Sequence, residues 1–351
     1  MAEEKAKASD FIKDLGPVKY FLSSGSTLLD LAIANRLPGG FPAGRISHIY
    51  GNESTGKSLL GGEVLGSAQR QGGRASLNDS EGTWDLQRAH DINAVQIDNP
   101  AIWSYDSSET IEDLFDRFIF DEVVACHNLK VPSCSCAVID TLSAIPSKVE
   151  KETKLEAPTM GQSRPKQLSV AFRKYIDAIN SVNLALVFLD QTRENVGVTF
   201  GDSLTTSGGK ALRFYASVRV ILSHIDKIKN SAERAVGVKL GFYVKKNKIG
   251  PPFREGEFRI LFDYGIDDIG SNLEWLHEND PEQIKVPKKD RPWVFRASAA
   301  DSKPIDLKGR GLNALIEKVE AENLEKCLIS EVERVWKVVY MPPDRKPRQR
   351  V

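Results

Sequence analysis

The sequence has little cysteine, methionine or histidine, and it has no excess of charge of either sign. Its 351 residues include 4 Cys, 3 Met and 5 His, and 48 Lys and Arg balance 48 Asp and Glu. Balanced charge excludes a global basic field, so any surface that binds nucleic acid has to be local. The sequence also shows no secretory leader and no long apolar run, which favours a soluble protein of a reducing compartment, the cytoplasm.

The few cysteines offer one candidate metal site. Cys134 and Cys136 would share one face of the strand pattern SCSCAVID. Zinc would need two more ligands nearby, and Cys126 and His127 are the only candidates. We favour the simpler interpretation, in which these thiols are small core residues.

Strand and helix patterns alternate along most of the chain. The apolar runs CAVID and LALVFLD are typical of strands that are buried on both faces of a parallel sheet. Helical patterns follow Lys57, cover residues 109–127 and fill QLSVAFRKYIDAINSV. Three longer strand patterns come later, SVRVILSHI, VGVKLGFYVKKNK and EFRILF, and predict antiparallel pairing. The sequence therefore predicts an α/β core with a mixed, mainly parallel sheet flanked by helices.

We expect four parts along the chain. Residues 1–22 would form an N-terminal segment, with a short helix over residues 2–15 followed by a linker. Residues 23–270 would form the α/β core, and residues 271–341 a small, mostly helical C-terminal domain. Residues 342–351 form a basic tail that we expect to be disordered, and its charge has the alternative interpretation of a solvated terminus.

GNESTGKS, residues 51–58, fits the phosphate-loop motif G-x-x-x-x-G-K-[ST]. It lies between a predicted strand and a predicted helix, which is the context that the motif requires. Backbone N–H groups of such a loop bind phosphates. We expect Lys57 to reach the β- and γ-phosphates and Ser58 to hold Mg²⁺. The nucleotide contacts predicted here are Gly51, Asn52, Glu53, Ser54, Thr55, Gly56, Lys57, Ser58 and Leu59.

Polar side chains end three other predicted strands. Asp140 ends CAVID, where a second acidic residue would complete the Mg²⁺ site. Glu81 follows RASLND, where a carboxylate can activate the attacking water, although Asp79 competes for that role and a helix cap or surface charge is the alternative. Gln191 ends LALVFLDQ and could sense the γ-phosphate, or it is an ordinary polar strand end.

A polar, glycine-rich stretch follows Gln191 and includes TFGDSLTTSGGKALRFYASVR, residues 199–219. Roughly twenty residues here show neither a helical nor a strand period. Loops longer than about a dozen residues are uncommon in compact domains and are usually functional or disordered. We therefore expect this loop to bind a ligand.

These motifs together resemble the RecA family of homologous-recombination ATPases. Residues 23–58 resemble the family's approach to its phosphate loop, and NDSEGTWD its catalytic-glutamate segment. DQTRENVGVTFGDSLTTSGGKALRFYASVR is similar to its second DNA-binding loop, and VKKNKIGPPFREGEFRILFDYGI to its interface strand pair. The resemblance covers about residues 20–270 and implies a RecA-like ATPase core that uses ATP and Mg²⁺.

The resemblance also implies a function and an assembly. The protein would be a single-stranded-DNA-dependent ATPase that forms helical filaments and exchanges strands with homologous double-stranded DNA in recombination and repair. The N-terminal helix and residues 16–22 would dock on the adjacent subunit in a head-to-tail contact that does not close. Glu81 matches the general base and Gln191 the nucleotide sensor. Lys246 and Lys248 match lysines that reach the neighbouring subunit's ATP, whereas without the resemblance they read as a solvated strand edge.

The adenine contacts depart from the family. The position that usually stacks an aromatic ring on the base is Arg88 here, whose planar guanidinium can also stack, with Phe262 or Trp84 assisting. The nucleotide contacts implied beyond the loop are Asp85, Arg88, Asp140, Pro252 and Phe262.

Two loops, about residues 153–165 and 191–213, are expected to contact DNA. Gly208 and Gly209 can bring backbone N–H groups close to phosphates, and Phe200 either stacks beside bases or anchors the loop in the core. The predicted DNA contacts are Met160, Gly161, Arg164, Lys166, Arg173, Arg193, Asn195, Phe200, Ser207, Gly208, Gly209, Lys210 and Arg213.

Two other functions stay open at this point. A RecA-like ring ATPase or helicase would share the phosphate chemistry, but it should lack TTSGGKALRFYASVR. A protein that coats single-stranded DNA with little ATP turnover would not need Lys57, Glu81 and Asp140 together.

Overall fold

The computed structural model describes Lys7 and residues 17–128, 134–153, 163–194, 204–206, 209–280, 291–297 and 305–340. The helix predicted over residues 2–15, apart from Lys7, and the basic tail lie outside the described residues. Six predicted DNA contacts also lie outside them: Met160, Gly161, Asn195, Phe200, Ser207 and Gly208. Among the described helices, none is long and apolar enough to cross a membrane.

The strands of the described chain are β1 (Phe21–Leu22), β2 (Phe41–Pro42), β3 (Ile46–Gly51), β4 (Ala75–Asp79), β5 (Trp103–Asp106), β6 (Ser135–Asp140), β7 (Leu184–Glu194), β8 (Leu204–Thr206), β9 (Val218–Lys229), β10 (Ala235–Asn247), β11 (Glu255–Leu261), β12 (Gly265–Asp267), β13 (Trp293–Ala297) and β14 (Ile305–Gly309). The central sheet follows the order β12-β11-β10-β9-β3-β7-β6-β4-β5, and β8 pairs with β7. The strands from β9 to β5 in that order are parallel, and β9 to β12 pair antiparallel. The predicted mixed, mainly parallel sheet is therefore confirmed.

The helices of the described chain are α1 (Thr27–Ala34), α2 (Lys57–Arg70), α3 (Leu86–Asn93), α4 (Ile111–Asp113), α5 (Phe120–Asn128), α6 (Lys148–Glu152), α7 (Ser163–Ser181), α8 (Gly209–Tyr215), α9 (Asp268–Asn279), α10 (Leu312–Ala321) and α11 (Glu325–Val339). A π-helical segment, Leu114–Ile119, joins α4 to α5, so the helix predicted over residues 109–127 is present with a widened middle turn. The Thr110 hydroxyl caps its start by accepting the N–H of Asp113 at 3.1 Å.

Alternate residues of the buried strands pack on opposite faces of the sheet, as a two-residue period requires. In β6, Cys136 and Val138 enter one hydrophobic cluster, while Ala137 and Ile139 enter the other. Cys134 joins the first cluster, and burial raises the pKa of its thiol to about 12. These cysteines are core residues of the sheet, as the simpler interpretation predicted.

The C-terminal region packs on the same core as α1. It contains α9, α10 and α11 together with the two-stranded hairpin β13-β14. Trp336 of α11 is fully buried in the cluster that also holds Leu28 and Leu31. The division of the chain into a core and a C-terminal domain stays a prediction.

The long polar loop contains more secondary structure than the sequence suggested. Strand β7 continues past Gln191 to Glu194, β8 pairs with it antiparallel, and α8 begins at Gly209. Ala211 and Leu212 of α8 are buried in the second cluster. The expectation of a structureless loop is wrong for these segments, since a three-residue strand and a two-turn helix are too short to show a period.

Candidate functional site

The phosphate-loop motif occupies the turn between β3 and α2. Gly51 ends the strand, and Lys57 begins the helix. Gly56 has a left-handed backbone (φ 71°), which favours glycine, and a Cβ there would also lie 2.6 Å from the terminal side-chain carbon of Ile260. The Thr55 hydroxyl donates to the carbonyl of Asn52 at 2.8 Å and closes the loop. The strand, loop and helix that the motif requires are therefore present.

Lys57 lies inside this loop with its ammonium group held by the loop itself. Its Nζ donates to the carbonyl of Asn52 at 2.6 Å and to that of Gly51 at 3.2 Å. Burial lowers the pKa of Lys57, and the carboxylates of Asp140 and Glu81 oppose that shift. Phosphate oxygens that entered the loop would be stronger acceptors for this cation than neutral carbonyls.

Ser58, at the start of α2, contacts Asp140, at the end of β6. The Ser58 hydroxyl donates to Oδ2 of Asp140 at 2.8 Å, and the Trp84 indole donates to the same oxygen at 2.7 Å. Burial raises the pKa of Asp140, whereas these two donors act in the opposite direction. A hydroxyl and a carboxylate are the hard oxygen donors that Mg²⁺ prefers, so the pair fits this ion.

The structure separates the two carboxylates that competed for the role of general base. Asp79 is fully buried, and its oxygens accept the backbone N–H groups of Gly82 at 2.9 Å and of Trp84 at 3.0 Å. Glu81 is exposed on the loop that Asp79 holds. Partial burial, with Asp140 and Asp79 nearby, raises the pKa of Glu81. The geometry favours Glu81 as the group that can reach a water molecule.

Two adjoining cavities bring most of the predicted nucleotide residues together. The first, of about 220 Å³, is lined by the loop and also by Glu81, Asp140 and Gln191. The second, of about 310 Å³, is lined by Trp84 and Arg88 among others, and it shares Ser54, Gly56, Ser58, Leu59 and Thr83 with the first. A larger groove of about 850 Å³ between residues 107 and 152 contains none of the predicted residues, so volume alone does not identify the site.

The second cavity has the shape and lining of a base pocket. Arg88 donates through Nη2 to the backbone carbonyl of Phe262 at 2.6 Å, which holds its guanidinium at the cavity wall. Asp85 lines the cavity too, but its carboxylate caps α3 by accepting the N–H of Arg88 at 3.0 Å. A fixed guanidinium plane is a surface on which a base can stack.

Comparison with known proteins identifies the family. The family model described as the RecA N-terminal domain matches residues 15–267. The chain belongs to the RecA family. Protein RecA of Rippkaea orientalis (strain PCC 8801 / RF-1) is 34% identical over 259 residues, which are 74% of this chain and 70% of that protein. Protein RecA of Leifsonia xyli subsp. xyli is 36% identical over 270 residues, which are 77% of this chain and 70% of that protein. Protein RecA of Cytophaga hutchinsonii is 36% identical over 253 residues, which are 72% of this chain and 67% of that protein.

Family membership confirms the resemblance that the sequence motifs carried and the RecA-like α/β core. It also confirms the class of function, a DNA-dependent ATPase of recombination and repair. The roles of individual residues stay predictions.

The lysine pair of this RecA-family chain lies at the opposite end of the sheet from the phosphate loop. Gly51, the last residue of β3, is level with Leu222 of β9, whereas Lys246 of β10 is level with Arg219, near the start of β9. Three residues of strand separate the two levels, roughly 10 Å along the strand direction. Lys246, Lys248 and Pro252 line neither cavity, so in one protomer they do not share a site with Gly51–Ser58.

Lys246 is bound instead to the helix that ends the second predicted DNA loop. Its Nζ donates to the carbonyls of Arg213 at 2.6 Å and Phe214 at 2.9 Å, at the C-terminal end of α8. Burial, with Lys248 and Arg219 nearby, lowers the pKa of Lys246 to about 8. Lys248 lies over the exposed Phe214 ring, with Nζ 5.9 Å from its centroid.

Most of the described DNA-contact candidates lie on two helices that pack together. Lys166 and Arg173 are exposed on α7, and Lys210 is exposed on α8. The rings of Phe172 and Tyr215 stack between these helices, with centroids 5.3 Å apart. Arg164 donates to the carbonyl of Leu142, Arg213 is half-buried, and Arg193 belongs to β7. The exposed cations are thus placed on one pair of helices beside the two predicted loops.

Sequence reasoning missed a buried polar network beneath the site. His48 and Asp190 are both fully buried, and Nε2 of His48 donates to Asp190 at 3.0 Å. Arg219 donates through Nε to Nδ1 of His48 at 3.2 Å, and Thr141 donates to Asp190 at 2.9 Å. Burial lowers the pKa of His48, which is consistent with this neutral form. Asp190 directly precedes Gln191, so the network fixes the part of β7 that carries the predicted sensor.

Proposed function

We propose that this RecA-family protein binds ATP with Mg²⁺ between two protomers and polymerises head-to-tail on single-stranded DNA. The filament then pairs its strand with homologous double-stranded DNA and exchanges strands. The supporting observation is that the phosphate-loop cavity and the lysine pair lie at opposite ends of one sheet. This placement favours a nucleotide that is contacted by the phosphate loop of one protomer and the lysine pair of another.

At the phosphate end, each described side chain has a role that fits its position. Lys57 would neutralise the β- and γ-phosphates. Ser58 and Asp140 would hold Mg²⁺, which would supply positive charge beside the transferring phosphoryl group. Glu81 accepts a proton from the attacking water, and its raised pKa brings it closer to neutral pH, where a general base is most effective. Gln191 contacts the γ-phosphate from β7, where it lines the same cavity.

At the opposite end, Lys246 and Lys248 serve the next protomer. A phosphoryl group presented by that protomer attracts both ammonium groups, which stabilise the negative charge that develops on it during hydrolysis. Lys246 would then exchange the carbonyls of Arg213 and Phe214 for phosphate oxygens. Because these carbonyls end α8, nucleotide at the interface would release the helix that borders the second DNA loop.

DNA is held mainly through its phosphates, and homology is read by base pairing between strands. Lys166, Arg173 and Lys210 present exposed ammonium or guanidinium groups on the packed pair α7 and α8. Such contacts are independent of sequence and make binding dependent on salt. A surface of this kind suits a protein that must coat any single strand.

The test is ATP turnover with and without single-stranded DNA, with negative-stain images of the same mixtures. Wild-type protein should hydrolyse ATP faster with DNA and form open helical filaments. Lys57→Ala should lose turnover, whereas Lys227→Ala, a change of the same chemistry at an exposed position of β9, should keep it. Closed rings would favour a ring motor, and filaments without turnover would favour a coat protein.

A further inference from the structure

Trp84 connects two carboxylates that belong to different strands of the site. Its indole N–H donates to Oδ2 of Asp140 at 2.7 Å, and its backbone N–H donates to Oδ2 of Asp79 at 3.0 Å. Asp140 ends β6, and Asp79 ends β4. Since Glu81 lies three residues before Trp84, the loop that carries it is fastened to both strand ends.

The Asp140 oxygen that accepts the indole N–H also accepts the Ser58 hydroxyl, at 2.8 Å. Two donors on one carboxylate oxygen restrict rotation of the carboxyl group. One donor comes from α2 and the other from the loop after β4, so the carboxylate is held from two sides. Groups that donate to a metal-binding carboxylate orient it, and their loss typically lowers metal affinity or activity about 10- to 100-fold.

The indole ring itself occupies a fixed place. Trp84 is half-buried, lines the base cavity and packs on α2, where a Cβ at Gly61 would lie 3.3 Å from the ring. The ring can therefore contact a nucleotide base in the cavity while its N–H donates to Asp140. These two roles are chemically separable.

We propose that Trp84 is a positioning residue whose indole N–H orients the Asp140 carboxylate toward Mg²⁺ and fastens the Glu81 loop to it. The proposal rests on the proposed function, because it takes the cavity to hold a Mg²⁺–nucleotide complex. It adds a residue that donates to the metal-side carboxylate from the general-base loop.

Two substitutions separate the N–H from the ring. Trp84→Phe keeps an aromatic ring and removes the N–H. Trp84→His keeps a ring N–H, because Nε2 of histidine is as many bonds from Cβ as Nε1 of tryptophan, and it removes the larger ring. Trp103→Phe is the matched control, since Trp103 is a buried tryptophan of β5 outside both cavities.

The measurement is the affinity for a fluorescent, slowly hydrolysed ATP analogue over a Mg²⁺ titration and in EDTA, with thermal unfolding of each variant. Trp84→Phe should raise the Mg²⁺ concentration for half-maximal binding about tenfold or more and leave the affinity in EDTA near wild type. Trp84→His should keep the wild-type Mg²⁺ requirement and weaken binding equally with and without Mg²⁺. Trp103→Phe should change neither quantity.

An unchanged Mg²⁺ requirement in Trp84→Phe would overturn the proposal, as would an equal loss with and without Mg²⁺, which would indicate base stacking alone. If Trp84→Phe does not fold, Trp84→His decides, because a raised Mg²⁺ requirement in that variant contradicts the role of the N–H. Failure of the wild-type protein to bind the analogue would instead refute the proposed function.

Discussion

Glu81→Gln should lower ATP turnover with little effect on stability, whereas Asp79→Asn should lower stability more than turnover. Glu81 is exposed and lies near two other carboxylates, so its neutralisation should change the free energy of unfolding by less than about 0.5 kcal/mol. Loss of the general base should lower ATP turnover by about 10²- to 10⁴-fold. Binding does not need that carboxylate, so filaments should form with ATP and persist.

Asp79→Asn should act on stability instead. The fully buried carboxylate accepts two backbone N–H bonds, at 2.9 and 3.0 Å. Hydrogen bonds to a charged group contribute about 1.5–3 kcal/mol each, and an amide can keep only one of the two acceptor oxygens. We therefore expect a loss of about 1.5–3 kcal/mol in the free energy of unfolding. Turnover should stay at least about tenfold above that of Glu81→Gln, because the base is still present.

The assays are phosphate release with saturating single-stranded DNA and urea unfolding of both variants. The reasoning is refuted if Asp79→Asn is as inactive as Glu81→Gln while unfolding like wild type. It is also refuted if Glu81→Gln turns over at the wild-type rate, and either result would transfer the general-base role to Asp79.

Three further predictions follow from the described contacts. Lys210→Ala with Arg213→Ala should weaken single-stranded DNA binding and reduce the salt slope of log K by about 1.4, and an unchanged slope removes both from the phosphate contacts. Asp190→Asn should weaken the His48 contact and lower the stimulation of ATP turnover by DNA more than the basal turnover, whereas an equal loss of both would mean a structural role only. Burial raises the pKa of Asp30 from 3.8 to about 7, so the folded protein binds this proton more tightly and its stability should fall as pH rises from about 4 to 7. Asp30→Asn should flatten that part of the curve measured by thermal unfolding, and an unchanged curve would contradict the assignment.

Local patterns were sufficient to predict the parts of the site that lie at strand ends. The phosphate loop, Glu81, Asp140 and Gln191 each follow a recognisable apolar strand, and parallel strands bring their carboxyl ends to one edge of the sheet. The family pattern supplied the role of the lysine pair, which no local period could assign. The strand and loop motifs span only a few neighbouring residues, so they can be recognised in a single sequence.

The missed contacts join residues far apart in the sequence. Trp84 and Asp140 are 56 positions apart, and His48 and Asp190 are 142 positions apart. Each is a polar group on or beside a buried strand, and only the register of the sheet decides which partner it meets. The sequence could not decide between Asp79 and Glu81 as the general base, because both carboxylates suit the chemistry. They differ in burial, which only the structure shows.

The central claim is that each nucleotide is shared by two protomers, and mixing two inactive variants tests it directly. Lys57→Ala lacks the phosphate-loop cation but keeps the lysine pair, and Lys246→Ala with Lys248→Ala has the reverse defect. In a random one-to-one filament about a quarter of the interfaces join an intact loop to an intact lysine pair, so DNA-dependent turnover should recover to roughly a quarter of the wild-type rate. A mixture that forms filaments on DNA and stays as inactive as either variant alone would contradict the shared site.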